Sequence, residues 1–212
     1  RAFLPDREEL DLYEKSGDTL VSFENERPLS DFDLIAFSVS FEPDFINIPR
    51  ILRLARINEL ALERGDGDPL VLAGGAAFFI NPEPVAECID LIAVGEGEDQ
   101  IPTLAVFLIQ HQNTERKELL RQAADLPGMY VPSLPLVCPV ARLSAPKESP
   151  PSCSVMLTDE TEFGNMYLVE VSRGCPRGCR FCAAGFVYQP FRQQPLELLK
   201  AAVREGLQYR KT

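Results

Sequence analysis

Apolar residues recur at two periods along the first 110 residues, and the alternation of those periods lays out strands and helices in turn. Pro5 to Lys15 opens on proline and carboxylates and stops before Gly17, which predicts a capped helix. Thr19 to Phe23 reads as a short strand, and Asp33 to Ser40 (D-L-I-A-F-S-V-S) as a buried one. From Ile48 to Glu63, Ile51, Leu52, Leu54, Ala55, Ile57, Leu60 and Leu62 fall near helical spacing, with Gly65 as the stop. Leu70 to Ala73 and Leu91 to Val94 are the next strands, separated by a short helix at Pro84 to Ile89 and followed by a helix over Gln100 to Gln110. Strands joined by helices predict an α/β fold with an open, doubly wound parallel sheet, whose ligand crevice lies beyond the carboxyl ends of the strands.

Those carboxyl ends carry Ser40-Phe41-Glu42, Gly74-Gly75 and Gly95-Glu96-Gly97-Glu98, small or polar residues where a ligand would approach. The glycines serve equally well as tight turns, and the glutamates as the first turn of a helix, where carboxylates suit the dipole. A further helix, Glu115 to Ala124, ends near Gly128. Six of the 18 prolines then fall between Pro132 and Pro151. Proline fixes φ and removes a donor, so this segment is expected to run extended as a linker. Beyond it, a strand at Met166 to Val171, a cysteine loop and a helix from Pro195 to Leu207 form one strand-loop-helix unit.

Composition adds limits. With 45% hydrophobic and 25% charged residues and no apolar run near the ~18 residues of a membrane span, the chain reads as globular and not membrane-bound. The net charge of -11 argues against a nucleic-acid surface over the whole molecule. The charge is uneven: from Arg173 onward eight Lys or Arg, among them Arg210 and Lys211, face Glu197 and Glu205, a local +6 that leaves -17 for the rest. An RNA substrate could approach that basic part, although counterions for a bound anionic group are the simpler account.

The strongest chemical signal is Cys175-Pro-Arg-Gly-Cys179-Arg-Phe-Cys182, three thiols at CxxxCxxC spacing in a loop rich in glycine and arginine. Three thiolates can hold three irons of a cubane [4Fe-4S] cluster and leave the fourth iron open. Zinc would want a fourth ligand, and the only histidine, His111, is remote in sequence. Arg173, Arg177, Arg180 and Arg192 supply positive charge to balance an anionic cluster, or form a solvated basic face. Gly174 and Gly178 let the loop wrap. Cys88, Cys138 and Cys153 fit no ligand spacing, and the whole set reads as thiols of a reducing cytoplasm.

The stretch Glu170 to Gly185 resembles the cluster loop of the radical SAM superfamily, with the aromatic before the last cysteine supplied by Phe181. The resemblance implies that S-adenosylmethionine chelates the open iron, that reductive cleavage gives a 5'-deoxyadenosyl radical, and that this radical abstracts hydrogen from a substrate. It also implies an external reductant such as flavodoxin or ferredoxin. Phe181 would pack beside the adenine, its alternative being a core aromatic. V-L-A-G-G followed by L-I-A-V-G-E-G-E resembles the cobalamin-binding-type, flavodoxin-like domain that precedes many radical SAM cores, which puts Gly74, Gly75, Gly95, Glu96 and Gly97 forward as cofactor contacts. Cobalamin stays open as a second cofactor, because no D-x-H-x-x-G loop is present.

The expected organisation is a cobalamin-binding-like α/β domain over 1–128, lacking its first strand, a Pro-rich linker over 129–160, and over 161–212 the first β/α unit of a partial TIM barrel. The chain thus reads as a truncated part of a longer radical SAM enzyme, inactive by itself, with its substrate undefined. The alternatives are an iron-sulfur electron-transfer or sensor module and a zinc-stabilised binding module.

Overall fold

Asp6 begins the first helix, α1 (Arg7–Ser16), by accepting the amide of Glu9, and Gly17 ends it at φ 70° with its own amide returned to the Tyr13 carbonyl. The computed structural model that displays this describes residues 1–136, 139–146, 149–160 and 162–209. Cys138, Arg210 and Lys211 lie outside the described residues. The chain forms two compact units, Arg1–Leu143 and Ser144–Thr212.

The first unit is built on β1 (Leu34–Ser38), β2 (Leu70–Gly74), β3 (Leu91–Ala93) and β4 (Met129–Tyr130), in that spatial order. The first three strands are parallel, and β4 runs antiparallel beside β3. The sheet is therefore mixed rather than wholly parallel, and its order advances along the chain through all four strands. Between the strands lie α2 (Asn47–Leu54), the five-residue α3 (Ala76–Ile80), α4 (Gly97–Gln110) and α5 (Arg116–Ala123).

Alternation along β2 divides the core in two. Val71 and Ala73 face a cluster containing Ile48 and Leu52 of α2, Phe45, Phe78 of α3 and Ile89. Leu70 and Leu72 face the opposite cluster with Leu104 of α4 and Leu119, Leu120 and Ala123 of α5. Helices thus cover both faces, and β2 is buried on both sides, as its continuous apolar run requires.

Three expectations change. The helix expected over Ile48 to Glu63 ends at Leu54, because Arg56 turns left-handed at φ 57°. There the Ile57 amide bonds the Leu52 carbonyl and the Arg56 amide bonds that of Arg53, a Schellman stop whose apolar closure is the buried pair Leu52 and Ile57. Thr19 to Phe23 contributes a single bridge, Val21 to Pro28, instead of a strand. The helix expected over Pro84 to Ile89 is a 3-10 segment, Glu83–Cys88, with Ile89 already extended beyond it.

In the second unit, the segment expected as a strand at Met166 to Val171 is extended but pairs only locally. The amides of Ser154 and Glu170 bond the carbonyls of Leu168 and Ser152, with one bridge from Cys153 to Val169. The regular ladder follows it: β5 (Ser172–Arg173) pairs antiparallel with β6 (Arg192–Gln193). The cysteine loop and the single-turn α6 (Ala184–Val187) lie between them, and α7 (Leu196–Tyr209) closes the unit. Gly206 of α7 packs so closely on Tyr167 that a Cβ there would lie 2.3 Å from its ring.

Candidate functional site

Ser172 pairs with Gln193 and Arg173 with Arg192, so the two ends of the cysteine loop leave from adjacent points of one ladder. The first residue beyond the ladder, Gly174, has φ 83°, and a Cβ there would lie 2.1 Å from the Tyr188 carbonyl oxygen. Both backbone angle and space demand glycine. Gln189 Nε2 then donates to the Cys175 carbonyl at 3.0 Å and also to the Gly185 carbonyl. Gly178, by contrast, has open space around it.

Within the loop, the Cys182 amide bonds the Cys179 carbonyl at 3.3 Å, placing these two cysteines on one turn that leads into α6. Cys175 and Cys182 are half-buried and Cys179 is exposed. Phe181 is 92% exposed, so it is not a core aromatic in this unit. Three soft thiol donors on one short loop fit an iron-sulfur cluster by donor chemistry. Among the described residues, no three His, Cys, Asp or Glu side chains are gathered around one metal-sized point. The loop carries the donors without drawing them together.

The arginines divide by environment. Arg173 makes a two-point ion pair with Glu170, Nε to Oε1 and Nη2 to Oε2 both at 2.8 Å, and its Nη2 also reaches Ser152 Oγ. Hydrogen bonding from Arg173 holds the Glu170 carboxyl below the usual carboxylate range. Glu170 thus meets much of the Arg173 charge. Arg192 Nη1 bonds the Ala145 carbonyl at 3.4 Å. Arg177 and Arg180 are exposed on the loop.

In the first unit, the glycines at the strand ends meet their own chain. Gly75, at φ 101°, lies where a Cβ would sit 2.5 Å from the Val39 carbonyl oxygen. Gly95, at φ 139°, is crossed by Leu143, whose amide and carbonyl bond the Val94 carbonyl and the Glu96 amide. A Cβ on Gly74 would meet the Ala93 carbonyl oxygen at 3.3 Å, and one on Gly97 would meet Ile101 at 3.1 Å. Glu96 is buried as the residue preceding α4. His111 closes α4 locally, its Nδ1 2.7 Å from the Phe107 carbonyl and its ring stacked on Phe107.

Sequence periodicity gave no hint of a buried charged centre at the other end of this sheet. Asp90 Oδ2 accepts from Arg116 Nη2 at 2.7 Å, from the Val71 amide at 2.8 Å and from Arg64 Nε at 3.1 Å. The two guanidinium groups reach on to the carbonyls of Asn58, Cys88, Gly65, Asp68 and Pro69. Gln189 is equally hidden, since neither apolar period nor ligand spacing marks it.

Among known proteins, the chain is 28% identical over 190 residues to an uncharacterized protein of Methanocaldococcus jannaschii, covering 89% of this chain and 38% of the relative. It is also 28% identical over 161 residues to the bacteriochlorophyllide d C-8(2)-methyltransferase of Chlorobaculum tepidum, covering 76% of this chain and 32% of that enzyme. The chain thus spans about a third of the length of these relatives. No solved structure matches it. Residues 1–132 match the family model described as radical SAM proteins, N-terminal, and by that match over more than half its length the chain belongs to the radical SAM proteins.

Proposed function

We propose that Cys175, Cys179 and Cys182 hold three irons of a [4Fe-4S] cluster and that the whole protein is a radical SAM enzyme acting in the cytoplasm. The observation that carries this is the CxxxCxxC loop, fastened at both ends, in a chain of this family. When bound, such a cluster with S-adenosylmethionine supplies reductive cleavage and hydrogen abstraction, driven by a reductant of the flavodoxin or ferredoxin kind. The chain's own residues do the positioning. The ladder of β5 and β6 fixes the loop's ends, Gly174 allows the close turn, Arg177 and Arg180 bring positive charge, and Phe181 offers an exposed ring to the adenine.

The three parallel strands, with glycines following the carboxyl ends of β2 and β3, support a cobalamin-type domain, and the segment after it begins a partial barrel in this proposal. Methyl transfer is in keeping with the methyltransferase relative, and cobalamin would be the cofactor of that transfer in this proposal. The substrate follows from neither unit. The five positions Gly74, Gly75, Gly95, Glu96 and Gly97 would then act through backbone shape at the crevice.

Anaerobic reconstitution with ferrous iron and sulfide tests the cluster: about four irons per chain and a shoulder near ~400 nm are expected. Stoichiometric zinc without iron would overturn it. S-adenosylmethionine cleavage by a protein spanning the relatives' full length separates the enzyme from a passive electron-transfer or sensor module, which gives none.

A further inference from the structure

We infer that Gln189 is a positioning residue for the cysteine loop: its single carboxamide NH2 fixes the separation of the loop's two ends, and so the span over which the three thiols can reach one centre. The inference rests on the cluster proposal above. The two carbonyls it binds, those of Cys175 and Gly185, bracket the segment that carries Cys179 and Cys182, with Cys175 at its start. One belongs to the first cysteine and the other follows the last by a single helical turn.

A planar NH2 group directs its two hydrogens along fixed, divergent lines, so two carbonyls bound to one nitrogen are held at a set distance. Tyr188, the preceding residue, lies under Gly174 with no room for a Cβ between them. Tyr188 and Gln189 together therefore form a floor against which both ends of the loop are fastened. Gln189 is half-buried, so the two hydrogen bonds are partly shielded from competition by water. Both hydrogen bonds of this closure end on backbone carbonyls rather than on cysteine sulfurs, so the thiols take no part in it.

The chemistry required at position 189 is specific. Glutamate has the same shape but places oxygen lone pairs against two carbonyl oxygens. Methionine has a similar length and no donor. Lysine keeps donors at the end of a long stem.

The test compares the whole chain with its Gln189→Glu, Gln189→Met and Gln189→Lys variants. Each is reconstituted anaerobically, then challenged with an iron chelator, and the reduced form is examined by paramagnetic resonance. Loss of an outer partner of a metal ligand weakens retention by about 10- to 100-fold. The Glu and Met variants are expected to release iron at least ~10-fold faster, with a broadened resonance, and Lys to recover most of the retention. Equal release rates in all four proteins overturn the inference. If the unaltered chain takes up no iron-sulfur cluster, the cluster proposal is what fails. Amide exchange over residues 175–187 then decides the clamp by itself: faster exchange in the Glu and Met variants upholds it, and unchanged exchange removes it.

Discussion

Arg116 Nη2 lies 2.7 Å from Asp90 Oδ2 with side-chain exposures of only 8% and 1%, so the pair is held almost entirely out of water. Arg64, with 0% side-chain exposure, shares the same oxygen. One carboxylate thus faces two guanidinium groups at the end of β2 and β3. The arrangement is tolerable because most of the guanidinium donors end on backbone carbonyls.

Removing that carboxylate leaves two buried cations facing each other. Asp90→Asn is expected to destabilise the first unit by about 3–5 kcal/mol, the range for breaking a buried ion pair from one side. Urea denaturation with an unchanged slope and a lowered midpoint would show it. A loss under about 1 kcal/mol would mean that water reaches these groups.

Which features were readable from residue order follows from the range of the forces behind them. The end of α1 was visible because Gly17 acts within one helical turn, whereas its start was placed at Pro5, just before the Asp6 cap that the structure shows. The strand at β2 was visible as an unbroken apolar run, but the burial expected of Asp33 to Ser40 belongs to β2 instead: β1 stands at the edge of the sheet and is only partly covered, because which strand is central is decided by pairing order. The stop of α2 was not visible, since its left-handed residue is Arg56 rather than glycine, and its side chain donates to the distant Gly17 carbonyl. β4 is only two residues long and is defined by pairing with β3. The three thiols could be recognised because ligand spacing is local. Their supports, Gln189 and the Glu170–Arg173 pair, depend on how the loop folds back, and hydrophobic periodicity carries no record of that.

Two glycines of the cysteine loop should respond oppositely to one methyl group. Gly174→Ala forces a left-handed alanine against the Tyr188 carbonyl oxygen, and a cost of at least ~2 kcal/mol from strain and overlap is expected. Gly178→Ala enters open space, and should stay within about 0.5 kcal/mol. Thermal melts of the two variants check the contrast, and equal losses would refute the packing described for Gly174.

Glu170 gives the second unit an acid-sensitive contact. Arg173 lowers its carboxyl below the ordinary value of 4.5. A carboxyl depressed in the folded state stabilises fully above its unfolded value, and that contribution is lost as pH falls through the folded one. Glu170→Gln should therefore be less stable than the unaltered chain at neutral pH, with the gap closing below pH 4.5 as the carboxylate takes up its proton. Melting temperatures measured from neutral to acid pH test the sign. A gap that widens toward acid would contradict the ion pair.

The described cysteines divide into two groups by what their surroundings allow. Cys88 is half-buried, burial pushes its thiol up, and Arg64 holds its carbonyl, so it is poorly prepared to become a thiolate ligand. Cys153 lies in the bridge to Val169 with its Sγ 3.5 Å from the Pro151 carbonyl oxygen. Cys175, Cys179 and Cys182 share one loop, at least partly open to solvent. Alanine at any of these three should lower reconstituted iron from about four per chain to below ~1, because a cubane left with two thiolates is poorly retained. Alanine at Cys88 or Cys153 should leave the iron content near that of the unaltered chain. Iron and sulfide analysis after desalting distinguishes the groups, and a Cys179→Ala chain that keeps its full complement of iron would show that the loop is not the cluster's seat.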